Sequence, residues 1–225
     1  MKKVVALICW SLAVPFALVA QSSPGDIAII GYNSDPDDNL AWVTFVDIPN
    51  GTNIFFEDNE WDGFSFNVGE GRLTWTNNTG STIPSGTVIT LDDLSSGTPS
   101  VSQGSFSISG AFNPANSADG VFVYVGAAGA PTSFLYAMTN GSTIANGLQS
   151  ITNTGLTVGL TAVLLSNGTD IGEYDGPKTG LSPSQYLEAI AEVGCFWNEQ
   201  DGTGSQTGDG TDPDLPFSTA TFSLA

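Results

Sequence analysis

Acidic residues are the side chains of this sequence that most clearly offer chemistry. The chain has 225 residues, with 23 Asp and Glu against four Lys and Arg. Calcium takes six to eight oxygen ligands from carboxylates, carbonyls and water, and acidic loops supply such oxygens. The sequence therefore predicts calcium binding at one of three alternative acidic clusters: Asp35, Asp37, Asp38 and Asn39; Glu57, Asp58 and Asp62; and Asp209, Asp212 and Asp214.

The first acidic cluster begins like an EF-hand loop but does not continue as one. Asp35, Asp37 and Asn39 have the D-x-D-x-N spacing of such a loop. Leu40, however, stands where the loop needs glycine, and Val46 stands where it needs a bidentate glutamate. No EF-hand is predicted, and for any one of the three clusters a solvated acidic turn is the favoured alternative, since adjacent carboxylates are expected in so acidic a chain.

The second acidic cluster also offers a catalytic alternative. Glycoside hydrolysis requires two carboxyl groups about 5 to 9 Å apart and no other ionisable group. Glu57, Asp58, Glu60 and Asp62 could supply such a pair, with Trp61 as a platform on which a sugar ring stacks. The alternative to this hypothesis is a surface turn whose tryptophan packs beneath a loop.

The composition excludes several other kinds of chemistry. The chain has no histidine, so a serine or cysteine nucleophile has no imidazole base, and the usual ligand sets of zinc are not available. With a net charge of −19, the protein is not expected to bind nucleic acid, whose recognition requires many cationic side chains.

The N-terminus has the pattern of a secretory signal peptide over residues 1–20. Lys2 and Lys3 precede an apolar run that ends at Ala20 and is shorter than a membrane-spanning segment of about 20 residues. Removal of these residues leaves two cations, Arg72 and Lys178, and a charge of 2 − 23 = −21. We therefore expect a secreted protein that is not inserted in a membrane after cleavage, although a signal peptide does not distinguish the periplasm from the exterior.

Short apolar or alternating segments separated by turn residues recur along the rest of the chain. They predict an all-β fold, a β-sandwich of about ten short, mainly antiparallel strands. Leu73 and Trp75 alternate with polar residues, and Trp42 lies in a continuous apolar run, so both tryptophans are predicted to be core residues on facing strands. The predicted strands are centred on 27–32, 40–48, 53–56, 72–76, 87–91, 105–109, 121–125, 134–138, 160–165 and 217–224.

The last 45 residues predict one helix and one long loop within a single domain, residues 21–225. Ser182 with Gln185 forms a capping box before a short helix at about 183–193, and Gly194 is predicted to end it. The Gly- and Asp-rich segment at about 198–216 is predicted to be a loop. Cys195, the one cysteine after residue 20, is predicted to be a buried, unreactive packing residue.

A series of short segments distributed along the chain carries a resemblance to a known family. They are 25–33, 40–43, 47–49, 51–52, 56–61, 69–71, 73–76, 84–87, 118–124, 147–148, 174–176 and 196–197. These segments resemble a poorly characterised β-sandwich module of secreted bacterial surface proteins that is similar in pattern to lamin-tail domains. The resemblance covers most of residues 25–198 and implies a β-sandwich without known catalytic residues.

Together these observations predict an exported, acidic, non-enzymatic protein of the surface, matrix or adhesion type, stabilised by calcium if one of the clusters binds it. Its partner is not identified by the sequence; a glycan and another surface protein are the two candidates. The alternative function is that of a carbohydrate-active protein, either a glycan binder or a carboxylate-dependent glycoside hydrolase.

Overall fold

A computed structural model of the chain describes residues 21–95 and 97–225. The predicted signal peptide, residues 1–20, lies outside the described residues. In chain order the strands are Ile27–Asn33 (β1), Asn39–Thr44 (β2), Asn53–Glu57 (β3), Arg72–Thr76 (β4), Val88–Asp92 (β5), Ser100–Val101 (β6), Ser105–Ser109 (β7), Gly120–Ala127 (β8), Ala130–Thr139 (β9), Ala162–Leu164 (β10), Ile171–Tyr174 (β11), Thr179–Leu181 (β12), Trp197–Gln200 (β13) and Ser223–Leu224 (β14).

Two six-stranded sheets form the predicted β-sandwich. Sheet I has the order β13-β11-β1-β2-β5-β6, and sheet II has the order β10-β9-β8-β3-β4-β7. Neighbouring strands are antiparallel except for β9 and β10, and a separate parallel pair joins β12 to β14. The all-β class and the mainly antiparallel pairing predicted from alternation are therefore confirmed.

The core between the sheets is built around two tryptophans. Trp42 of β2 and Trp75 of β4 are both fully buried, and their rings meet edge to face with centroids 5.1 Å apart. Phe56 of β3 packs against Trp42 from the same side, at 5.8 Å. The prediction that both tryptophans are core residues of facing strands is confirmed.

A second apolar cluster covers the outer face of sheet II. Phe55, Phe122 and Tyr124 alternate along their strands with residues of the main core, so they point away from it. Residues 58–71 and 140–161 lie over this face and contribute Trp61 and Leu148 to the cluster. Sheet II is thus covered on both sides, which explains why its central strands are apolar at nearly every position.

The helix predicted near the C-terminus is present with its predicted start. Helix α2, Pro183–Ala191, follows the helical turn α1, Ala145–Leu148, and is capped by Ser182 and Gln185 in a reciprocal capping box. Its residues Leu187 and Ile190 are buried, as the spacing predicts. The predicted end is wrong: α2 stops at Ala191, and Gly194 lies within a further helical turn, α3, Val193–Phe196.

Two further predictions about the C-terminal part are wrong. Residues 217–224 form a strand only at Ser223–Leu224, although Phe217 and Phe222 are buried. Phe217 packs so closely on β1 that a Cβ added at Gly31 would lie 2.9 Å from its ring. Burial here is achieved by single aromatic side chains of an irregular segment. The loop predicted at 198–216 also has different bounds. Its first three residues, 198–200, belong to strand β13, and the irregular segment continues beyond residue 216 to β14.

Cys195 is exposed, in contrast to the predicted burial. It lies in the short turn α3, whose four residues include none that is buried. We therefore expect the thiol to react with a disulfide reagent in the native state, because access controls the reactivity of a cysteine together with its ionisation. Labelling measured with and without denaturant checks this; a thiol that reacts only after denaturation would contradict the position of α3.

Candidate functional site

The first predicted calcium cluster is the loop between β1 and β2, and its members have different surroundings. Asp35 is buried, and its Oδ2 accepts a hydrogen bond from the backbone N–H of Gln206, with a donor–acceptor distance of 2.6 Å. Asn39 accepts one from the Asn33 amide at 2.8 Å. Asp38 is buried at the end of the loop, and Asp37 is partly exposed. The loop therefore binds part of the C-terminal segment through Asp35 and directs Asp38 inward.

The second predicted cluster is divided among three environments. Glu57 is fully buried, where it forms an ion pair with Arg72 and accepts hydrogen bonds from the Tyr124 hydroxyl at 3.0 Å and the Asn59 amide at 2.7 Å. Asp62 is exposed, and its Oδ1 accepts hydrogen bonds from two successive backbone N–H groups, which lower its pKa. Asp58 is buried separately from both.

Trp61 packs beneath a loop and does not form an exposed platform for a sugar ring. Only 6% of its surface is exposed, and its ring meets Phe66 and Phe134 edge to face, each with centroids 5.0 Å apart. Its indole N–H donates to the Thr152 carbonyl at 2.8 Å. The ring is therefore committed to the outer cluster of sheet II.

The third predicted cluster lies on the surface of the long C-terminal loop. Asp209 and Asp212 are exposed, and Asp214 is partly exposed. Asp209 and Asp214 accept hydrogen bonds from backbone N–H groups of the same loop. The loop is held instead by Gln200, whose amide donates to the carbonyls of Thr211 and Pro213 at 2.7 and 3.1 Å.

A buried acidic group forms where members of the first two clusters meet a residue that the sequence analysis did not single out. We call this group of Asp38, Asp58 and Asp119 the buried acidic end. Asp38 directly precedes β2 of sheet I, while Asp58 directly follows β3 and Asp119 directly precedes β8, both in sheet II. Because Glu57 is paired with Phe122 in the ladder, the end of β3 and the start of β8 lie at the same end of the sandwich.

Residues 111–119 close this end of the sandwich. The backbone N–H of Asn113 donates to Asp58 Oδ2 at 2.8 Å, and that of Ala115 donates to Asp119 Oδ2 at 2.6 Å. The Tyr32 hydroxyl of sheet I donates to the Ala115 carbonyl at 3.3 Å. The segment therefore ties both sheets together and keeps the carboxyl groups beneath it away from water.

Burial and mutual repulsion raise the pKa values of these carboxyl groups. Burial, followed by the charge of Asp119, raises the pKa of Asp58 to about 9. Burial raises the pKa of Asp38 to about 6, with Asp119 again contributing. Burial and the same Asp119 charge raise the pKa of Glu70 to about 7. Asp119 is therefore the common neighbour of the group.

The sequence contains a local signal for the structural role of Asp119. Its carboxylate oxygens accept from the backbone N–H groups of Ala115 and Gly120, so it fixes the turn before a buried strand. An acidic residue between Ala118 and Gly120, immediately before the apolar run of β8, is typical of such a turn. Its proximity to Asp58 could not be predicted, because that depends on the pairing of β3 with β8.

Among residues 21–95 and 97–225, no three Asp, Glu, Cys or His side chains converge closely enough to hold a metal ion. In the same residues, no helix is long and apolar enough to cross a membrane. A scan of protein-family models, a search of curated proteins and a search of solved structures found no match to this chain. The resemblance to a lamin-tail-like module therefore stays a prediction.

Proposed function

We propose that this protein is an exported, non-enzymatic β-sandwich that acts through surface contacts, as a component of a matrix, an envelope or an adhesive layer. The observation that carries the proposal is a loop, residues 61–69, that presents two large apolar side chains to solvent. Phe64 is 83% exposed and Val68 is 95% exposed. Large apolar side chains exposed on one loop are suited to a surface that binds another protein.

The loop is held in place before any partner binds. Trp61 and Phe66 anchor its two sides in the outer cluster of sheet II, and Asp62 holds the turn at Phe64 and Ser65. Asn67 donates from its side chain to Gln149 at 2.7 Å. A preformed loop loses less conformational entropy on binding, so exposed aromatic residues on it can contribute more affinity.

Another surface protein is the partner class that this loop fits best. Phe64 can insert into an apolar pocket, while the neighbouring Asp62 is suited to a cationic rim around that pocket. A glycan-binding or hydrolytic role is less well supported, because Trp61 is covered and Glu57 uses its oxygens for Arg72, Tyr124 and Asn59.

We expect replacement of Phe64 and Val68 by serine to weaken binding of the purified protein to the surface of producing cells by at least about tenfold, since hot-spot residues each contribute roughly 2 kcal/mol. Saturation binding of the labelled protein measures the effect. The matched control is Val158→Ser, which changes an apolar side chain that is 58% exposed and lies outside the loop. Equal binding by the loop variant and the control would contradict the proposal.

A further inference from the structure

Two carboxylate oxygens of the buried acidic end have no hydrogen-bond partner within the described residues. They are Asp38 Oδ2 and Asp58 Oδ1. Both residues are almost completely buried, with 2% and 1% of their surface exposed. Buried polar atoms nearly always have a partner, because an unpaired one costs free energy that water would otherwise supply. Two such atoms at one end of the sandwich therefore point to a place where a polar or charged ligand can be held.

The two oxygens belong to neighbouring carboxyl groups held by different sheets. Asp38 is fixed by the sheet I hairpin, since its carbonyl accepts from the N–H of Leu94 at 2.9 Å. Asp58 is fixed by sheet II, since its N–H donates to the Gly71 carbonyl at 3.0 Å and its Oδ2 accepts from Asn113. Leu94, which is hydrogen-bonded to Asp38, and Asn113, which is hydrogen-bonded to Asp58, line the same surface cavity, so the two acidic residues approach it from opposite sheets.

No side-chain cation of the described residues neutralises this group. Arg72 forms an ion pair with Glu57, and the positive charge of Lys178 interacts with Glu173. The sequence has no other lysine or arginine after residue 20. A buried carboxylate without a counter-charge is so costly that the group either retains its proton or binds a cation.

We propose that a calcium ion binds between the two sheets at the buried acidic end, with Asp38 Oδ2 and Asp58 Oδ1 as its two carboxylate ligands. Backbone carbonyls and water supply the remaining oxygens, as in many calcium sites. Asp119 is a neighbouring charge and not a ligand, because both of its oxygens already accept backbone hydrogen bonds. A site with two carboxylates agrees with the lack of any three-residue metal cluster among the described residues.

This site differs from the three clusters predicted from the sequence. It takes one residue from the first cluster and one from the second, and it uses none of the residues of the C-terminal loop. Calcium is favoured over magnesium because it accepts irregular sets of oxygens, whereas magnesium requires near-ideal octahedral geometry and retains its water. The proposal is independent of the surface contacts at Phe64.

The experiment uses the full protein from producing cells, freed of metal with a chelator and studied at constant pH. Calcium chloride, magnesium chloride and sodium chloride at equal ionic strength are compared by thermal unfolding, and calcium is titrated calorimetrically. We expect one saturable calcium site per chain and a calcium-induced rise in the unfolding midpoint well above that in the other two salts. Equal shifts in all three salts would reduce the effect to charge screening and overturn the proposal.

Four single variants locate the site. Asp58→Asn and Asp38→Asn each keep the shape of the side chain and are expected to weaken calcium binding at least tenfold. Asp62→Asn and Asp209→Asn, which change exposed members of the other predicted clusters, are expected to leave it unchanged. If Asp38→Asn does not fold, Asp58→Asn alone provides the test, since the asparagine keeps the shape of the side chain and cannot ionise. Wild-type calcium affinity in Asp58→Asn, or loss of binding in Asp209→Asn, would overturn the assignment.

Discussion

Acidification from pH 7 to pH 4 is expected to raise the free energy of unfolding of the calcium-free protein by about 4 kcal/mol through Asp58 alone. The pKa of this carboxyl is raised by burial and by Asp119 to about 9 in the folded protein. In the unfolded chain it returns to about 3.9. A carboxyl group with a raised folded pKa reduces stability above its unfolded pKa, because folding must then retain a proton or bury a charge. The stability is recovered as the pH falls towards 4.

The charges that act on Asp58 reinforce this direction. They come from Asp119, Glu70 and Asp38, which are all acidic, and the pKa values of these three groups are also raised by burial. The buried phenol of Tyr32, whose pKa is raised well above its usual value, stays neutral throughout this range. Asp62, with a lowered pKa, is exposed and opposes the trend only weakly.

Denaturant unfolding at a series of pH values measures this effect, and Asp58→Asn is the matched variant. We expect the variant to be more stable than the wild type at pH 7 in calcium-free buffer and to have a flatter pH profile, because its side chain does not ionise. If the difference in stability between the wild type and Asp58→Asn is the same at pH 7 and pH 4, Asp58 is not held in the neutral form.

Truncation of either core tryptophan is expected to cost about 3 to 5 kcal/mol of stability. Trp42→Ala and Trp75→Ala each leave a large cavity between the sheets, where the two rings meet 5.1 Å apart. The double variant should lose less than the sum of the two, since their contact contributes roughly 0.5 to 1.5 kcal/mol. Phe64→Ala, which changes an exposed ring, is the control and should have little effect.

Unfolding in denaturant, with the midpoint and slope measured for each variant, provides the test. A loss below about 1 kcal/mol for either tryptophan is far outside the range for large buried side chains. Such a result would contradict the placement of β2 and β4 on facing sheets.

Local sequence patterns were sufficient to predict most of the strands and the start of helix α2. Leu73 and Trp75 alternate with polar residues because one face of β4 meets the core, and this period is visible in the sequence. Ser182 and Gln185 interact within one turn, so their capping box could be predicted from spacing alone. Features of this kind depend only on neighbours along the chain.

Features that depend on pairing between distant segments could not be predicted in this way. Strand β13 is mostly polar and half-buried at the edge of sheet I, so the sequence gives no period to detect. Phe217 and Phe222 suggested a strand, although each ring is buried from an irregular segment. The buried acidic end requires that β3 pair with β8 and that residues 111–119 cross the end of the sandwich. Neither arrangement leaves a local signal.

A protein that acts through contacts at the cell surface must first be exported, so fractionation of the producing cells tests the central claim most directly. The proposed function predicts that the protein is recovered outside the cytoplasm, that its N-terminus is Gln21, and that protease added to intact cells removes it. Recovery of the chain in the cytoplasmic fraction with residues 1–20 still attached would contradict export, and with it the proposed surface role of the Phe64 loop.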